Sequence, residues 1–229
     1  MIRAPSASGL PLMEGLAADR EHALTLTPVS RETTQRLELF VELLLDWQAR
    51  MNLIAASTIA KLWTRHVADS LQLLALAPRG KVWVDLGSGG GFPGLVVACA
   101  LAEVPGASVH LVESNGKKAT FLTEACRATG VPAQVHRRRA EDFTVGFRGP
   151  LDVVTARALA PLKTLLALAS PLLARPGVIG LFPKGQNAET ELGVAREYWN
   201  INVNLVSSRT EPTAQVLVVD RLEPVRTTA

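Results

Sequence analysis

The stretch DLGSGGGFPG, Asp85 to Gly94, decides the fold. It stands directly behind the apolar run from Lys81 to Val84. A strand that ends in an acid, passes through four closely spaced glycines and enters a helix makes a turn whose backbone can press against a ligand without Cβ clashes. Such a turn marks a nucleotide-cofactor site.

Two nucleotides compete for it. Read from Gly89, the segment satisfies G-x-G-x-x-G through Gly89, Gly91 and Gly94, with Glu113 about twenty residues on to bind a ribose, as in dinucleotide sites. Read from Asp85, it is D-x-G-x-G-x-G through Asp85, Gly87, Gly89 and Gly91, which resembles the first motif of class I S-adenosylmethionine methyltransferases. Charge separates the two: a pyrophosphate tolerates no nearby carboxylate, whereas an ammonium and a sulfonium are drawn to Asp85.

Beyond this turn the pattern alternates. Strands are expected at Val82 to Asp85, Ser108 to Val112, Gln134 to Arg137, Leu151 to Thr155 and Val178 to Phe182. Helices fall between them at Phe92 to Ala102, Gly116 to Thr129 and Leu162 to Leu173, with another at Ala188 to Trp199. Repeated strand-helix units with continuous apolar strands give a parallel sheet covered on both faces. The last strands, Asn202 to Ser207 and Gln215 to Asp220, are joined by a short connection and read as an antiparallel hairpin. That ending favours the Rossmann-like seven-stranded methyltransferase sheet with an antiparallel last strand. A dinucleotide fold would repeat the βαβ pattern instead.

Upstream, Ser30 caps a helix carrying Leu37, Phe40, Val41, Leu44 and Leu45 on one face, and a second helix is expected from Thr58 to Leu76. Between them MNLIAAS carries Asn52. Residues 1–28 show no sustained period and read as a mobile or loosely docked arm. The expected divisions are an arm at 1–30, a helical extension at 31–77 and an α/β domain at 78–229.

Composition bounds the function. With 229 residues, 48% of them hydrophobic and 20% charged, the chain is long enough for one full core. A net charge of +3 permits nucleic acid without demanding it. Cys99 and Cys126 sit in helical apolar patterns, like small buried hydrophobes of a reducing compartment. The four histidines have no cysteine partners at ligand spacing, so no metal is expected. Neither a signal peptide nor a membrane-length apolar run is present, which gives a cytoplasmic expectation without a membrane partner.

In such sheets ligands bind outside the carboxyl ends of the strands. The candidates are therefore Asp85, Gly87 and Phe92 after the first strand and Glu113 after the second. Arg139, Ala140 and Glu141 follow the third, Arg157 the fourth and Lys184 the fifth. Glu113 suits the two ribose hydroxyls, although a helix-capping acid would look the same. Arg139, Arg157 and Lys184 come from three separate strand ends, and a mouth lined with cations argues for a polyanionic acceptor. His66, Asp69 and Ser70 imitate a hydrolase set, but Ser70 lacks the strand-turn-helix elbow of a nucleophile.

Collected together, these blocks resemble one family, the RsmG or GidB 16S ribosomal RNA guanine-N7 methyltransferases. The resemblance runs over nearly all of Arg36 to Leu222 and is carried by MNLIAAS, TRHVADSL, VDLGSGGGFPG, VESNGKKATFL, RRRAEDF, VTARALAPL and FPKGQ. Met51, Ile54 and Phe92 depart from the residues usual in the family. The resemblance implies cofactor contacts at Gly87, Phe92, Ala140, Glu141 and Arg157. It implies further polar positions at Asn52, Arg65, His66, Asp69, Arg139 and Lys184. Asn52, His66, Arg139 and Lys184 are thus the expected catalytic group, and Asp85, Gly87, Gly89, Gly91, Phe92, Glu113, Ala140, Glu141 and Arg157 the expected cofactor group. The implied donor is S-adenosyl-L-methionine, and the implied partner is 16S rRNA or the 30S subunit, met by a monomer. A methyltransferase for a small-molecule or protein acceptor and a non-catalytic adenosylmethionine-binding protein remain as alternatives.

Overall fold

The computed structural model describes residues 10–225, and the expectation for residues 1–9 lies outside them. Seven strands form one sheet in the order β3-β2-β1-β4-β5-β7-β6. They are β1 (Val82–Leu86), β2 (Ser108–Val112), β3 (Ala133–His136), β4 (Val153–Thr155), β5 (Ile179–Lys184), β6 (Trp199–Ser207) and β7 (Gln215–Pro224). β1 to β5 pair in parallel, and β7 enters antiparallel between β5 and β6. The strand order reverses at β1 and β4, whose carboxyl ends open the crevice where such sheets hold ligands.

Nine α-helices are described. α1 (Leu10–Leu26) and α2 (Arg31–Gln48) come first, followed by the short α3 (Asp69–Leu71) and α4 (Leu73–Leu76). α5 (Gly94–Leu101), α6 (Gly116–Thr129), α7 (Ala140–Gly146), α8 (Leu162–Leu173) and α9 (Ala188–Arg196) alternate with the strands. Local chemistry fixes several ends. The Ser30 hydroxyl accepts from Thr33 N–H at the start of α2, and Asn115 Oδ1 accepts from the N–H groups of Lys117 and Lys118 at the start of α6. α6 stops at Gly130, which takes the left-handed conformation.

One core lies on each face of the sheet. α2, α5 and α6 bury Leu37, Phe40, Val97 and Phe121 against Trp83 and Leu111. α8 and α9 bury Leu165, Leu166 and Leu192 against Val84, Leu86 and Phe182. Alternation along β1 sends Trp83 to one face and Val84 and Leu86 to the other.

The structure corrects the expected N-terminal arm. Residues 10–26 form α1, with Leu16 and Ala23 buried in the first core. Weak periodicity hid this helix because much of its anchoring is polar: Asp19 Oδ2 accepts from Trp63 N–H at 2.8 Å and Thr64 N–H at 3.2 Å. The partner of that contact is a second correction. The helix expected from Thr58 to Leu76 is broken into a 3₁₀ turn (Ala56–Lys61), a π-turn (Trp63–Ala68), α3 and α4. The break at Leu62 frees backbone N–H groups, and Asp19 takes them up.

Smaller differences lie at element ends. α5 begins at Gly94 rather than Phe92, and α7 was not expected at all. The last helix ends at Arg196, and Trp199 opens β6 opposite Pro224, so the terminal hairpin is longer than expected at both outer ends.

Candidate active site

The glycine turn leaves β1 and doubles back over β2. Gly87, Gly89 and Gly91 all have positive φ, at 72°, 54° and 91°, which side-chain-bearing residues rarely adopt. The N–H groups of Gly87 and Ser88 both donate to Val112 O, and Gly89 N–H donates to Glu113 Oε2 at 2.9 Å. Glu113 Oε1 accepts from Asn115 N–H at 2.7 Å, so this carboxylate ties the turn to the end of β2. Beside Gly89 the space is open: a Cβ there would meet nothing nearer than Gly87 O at 3.7 Å.

Asp85 behaves differently from the sequence reading. Its side chain is fully buried, and Oδ2 accepts from Gly94 N–H at 3.1 Å, so it holds the start of α5 rather than facing the crevice. A Cβ on Gly94 would lie 2.6 Å from that oxygen, which is why glycine stands there. Burial, against weaker opposition from hydrogen bonds at Ser88 and Gly94, pushes the carboxyl up to about 7. Asp85 Oδ1 is buried without a partner among the described residues. The expected direct attraction of a cationic cofactor to Asp85 is therefore corrected: the residue shapes the turn from below.

At the end of β3, Arg139 is the N-cap of α7 and gives it no side-chain hydrogen bond, which leaves first-turn backbone donors beside Ala140 and Glu141. Arg137, Arg138 and Arg139 are exposed, and none is in an ion pair among the described residues.

Next to the turn lies a cavity of 850 Å³ over the carboxyl ends of β4 and β5. Its walls come from the broken helix, from the segment after β4 and from the β6–β7 connection. Arg157 is central. One guanidinium nitrogen donates to Arg65 O at 3.0 Å and Asp69 Oδ2 at 3.2 Å, and the other donates to His66 Nδ1. The guanidinium carbon also stands 5.4 Å from the centre of the Phe92 ring, a cation-π distance. Phe92 is buried between Phe40 and His66.

His66 is neutral. Burial first, then the charges of Arg157 and Arg65, push its imidazole down to about 3. With Nδ1 accepting from Arg157, Nε2 carries the proton and donates to Thr58 Oγ1 at 2.8 Å. Both ring nitrogens are occupied, so His66 orients Arg157 and is not a proton acceptor.

Lys184 lines the same cavity. Its ammonium donates to Ala160 O at 3.1 Å and Glu191 Oε2 at 2.8 Å, and its side chain is only 10% exposed. Arg65 pairs with Glu211 at 2.6 Å across the rim. The expected cationic mouth of Arg139, Arg157 and Lys184 is thus corrected: Arg139 does not line the cavity, and Arg157 and Lys184, like Arg65 beside them, are each matched by an acid, Asp69, Glu191 and Glu211. Each acid sits one side chain away, and a cavity so balanced suits polar edges better than phosphate. Of the expected catalytic group, His66 and Lys184 meet here. Arg139 is not among the lining residues, and neither is Asn52, which is exposed one residue before Leu53, whose carbonyl lies against Gly90.

Sequence reasoning missed Glu191, Thr210 and Glu211. Thr210 Oγ1 donates to Asp69 Oδ1 at 2.9 Å, while Gln72 bridges Asp69 and Ser208. Their only sequence signal was position: Glu191 follows Lys184 within one β-turn-α step, and Thr210 and Glu211 lie between two paired strands.

A family model described as GidB, rRNA small subunit methyltransferase G, matches residues 33–217. A protein named ribosomal RNA small subunit methyltransferase G from Bradyrhizobium sp. strain BTAi1 is 57% identical over 91% of this chain and 93% of its own. One of the same name from Rhodopseudomonas palustris strain BisB18 is 54% identical over 91% of this chain and 89% of its own. Among solved structures, the O-methyltransferase TomG from Streptomyces achromogenes in complex with SAM aligns with a TM-score of 0.58 at 14% identity, covering 91% of this chain and 97% of that one. An O-methyltransferase from Bacillus cereus in complex with SAH aligns at 0.57 and 14%, covering 92% and 100%. At such identities the structural matches establish the fold alone.

Proposed function

Because the chain belongs to the GidB family of rRNA small subunit methyltransferases G, we propose that it transfers the sulfonium methyl group of S-adenosyl-L-methionine to N7 of one guanine in 16S rRNA. The enzyme works on naked RNA, on the 30S subunit or on an assembly form of it, as a monomer in the cytoplasm. No helix among the described residues is long and apolar enough to cross a membrane.

The residues present fit the donor. Three left-handed glycines leave backbone open beside Gly89, Glu113 keeps one further lone pair on each oxygen beyond those taken by Gly89 N–H and Asn115 N–H, and Ala140 and Glu141 lie at the start of α7. Gly87, Gly89, Gly91, Glu113, Ala140 and Glu141 would hold the nucleoside, and Phe92 and Arg157 the side nearest the cavity. When bound, the donor supplies a methyl group on a cationic sulfur.

Guanine N7 carries a free lone pair, so its attack needs no general base. That accords with a neutral His66 whose two nitrogens are both engaged. The chain's contribution is alignment and electrostatics. Arg157, fixed by Asp69, His66 and Arg65 O, stands where the turn and the cavity meet. The row Arg137 to Arg139 lies exposed to take phosphates, while the charge-matched cavity takes the base.

The observation that carries this reading is the junction at Arg157 and Phe92 between a nucleoside-shaped turn and a balanced polar cavity. It is tested by offering tritiated S-adenosylmethionine to 30S subunits from a strain lacking this gene, then mapping the label. Label on N7 of a single guanine is the expected result. Label in protein only, or cofactor binding without transfer to any ribosomal substrate, would overturn it.

A further inference from the structure

On the reading that the acceptor is a guanine of 16S rRNA, we propose that Glu191, held by Lys184, is the residue that selects guanine, by accepting its N1–H while Lys184 donates to O6. The pair stands on two elements, Lys184 at the end of β5 and Glu191 in the first turns of α9. Glu191 Oε2 is fully used, by Lys184 Nζ at 2.8 Å and by Leu162 N–H at 2.6 Å. Its Oε1 has no partner among the described residues, and the side chain is 30% exposed in the cavity wall. Lys184 has three protons and spends two, on Ala160 O and Glu191. The pair therefore presents one unspent donor beside one unspent acceptor.

That order is guanine's complement. Guanine shows an acceptor, O6, next to a donor, N1–H. Adenine shows the reverse, an amino group next to a bare N1, and would set donor against ammonium and lone pair against carboxylate. Both protein groups have fixed polarity. Lysine only donates, and burial, which works against the ionised carboxyl, is outweighed by Lys184 and Leu162 N–H, so Glu191 is held below the ordinary carboxylate range. Gripping the base through O6 and N1 also leaves N7 unengaged, as methyl transfer requires. A phosphate would meet the carboxylate at the same point and be repelled.

The test needs a base that keeps N7 and loses this edge. Synthetic 16S rRNA is made with guanine, inosine or 2-aminopurine at the nucleotide the parent enzyme methylates, and is assembled into 30S subunits. Inosine keeps O6 and N1–H, so transfer to it stays within about tenfold of guanine. 2-Aminopurine has neither and loses roughly 100-fold or more in kcat/KM. In Glu191→Gln, the amide oxygen is held by Lys184 and Leu162 N–H and the amide NH2 turns to the cavity. Guanine then loses about 100-fold while 2-aminopurine loses little, so the ratio between them collapses, with cofactor affinity unchanged as the sign of an intact fold. Parent enzyme that methylates 2-aminopurine as well as guanine overturns the proposal without any variant. So does a Glu191→Gln enzyme that loses the same factor on both bases, the mark of a mere brace between α8, α9 and β5. Absence of label on guanine-bearing subunits would instead sink the methyltransferase reading itself.

Discussion

Asp85 divides two ways in which an acid can serve a glycine turn: by charge directed at the ligand, or by bonds directed at the backbone. Its complete burial and its bond to Gly94 N–H put it in the second class. Asp85→Asn keeps an oxygen for Gly94 N–H, so cofactor affinity should stay within about threefold, less than 1 kcal/mol, whereas Asp85→Ala should lose it as the start of α5 loosens. Titration calorimetry separates the two, and loss in the Asn variant would restore the charge argument. The same carboxyl also sets a pH slope. The unfolded chain releases its proton near 3.8, while the folded chain retains it to about 7, so stability from this group falls as pH rises through that window. Urea midpoints across about pH 4 to 7 should decline in the parent and flatten in Asp85→Asn. The acid and its glycines were legible in sequence because a strand end followed by glycines has few uses. Which way the acid points was not, since that depends on Gly94 and Leu111 packing beneath it.

Helix α1 and the broken segment at 56–76 make sense only as a pair. The single-helix expectation for Thr58 to Leu76 followed an apolar stripe that is real, because Leu62, Trp63, Val67 and Leu71 are all buried. What the stripe could not show is that Asp19, far upstream, supplies acceptors for Trp63 N–H, Thr64 N–H and the Thr64 hydroxyl at 2.5 Å. Removing that carboxylate leaves buried donors unsatisfied, which costs about 1–3 kcal/mol. Asp19→Ala should therefore lower amide protection in α1 and residues 63–64 by roughly tenfold or more in hydrogen exchange, while the β1–β5 strands keep theirs. Unchanged protection would mean that Leu16 and Ala23 alone seat the helix. The terminal hairpin was legible from the short connection between its strands, but its full length was not, because Trp199 is equally at home ending a helix or opening a strand.

At the scale of the molecule, the proposed function divides phosphate and base between two surfaces, the exposed arginine row at 137–139 and the charge-matched cavity. Binding of 30S subunits should weaken steeply with salt, and replacing Arg137, Arg138 and Arg139 by alanine should reduce the slope by about one for each phosphate no longer neutralised, with cofactor affinity unmoved. Equal slopes in parent and triple variant would place the phosphates elsewhere. The overall sheet could be read from the alternation of strands and helices, and the cavity could not, because no local pattern brings residues 58–69 to residues 183–216. Their meeting has a consequence for how the enzyme comes to exist. Asp69 is fastened to Thr210, Gln72 to Ser208, and Arg65 to Glu211, so segments distant in the sequence are sewn together over the carboxyl ends of the parallel strands. A nascent chain emerging from the ribosome has one wall of this chamber and lacks the other until the segment joining β6 and β7 has emerged, so the cavity stays unfinished until that late pairing forms.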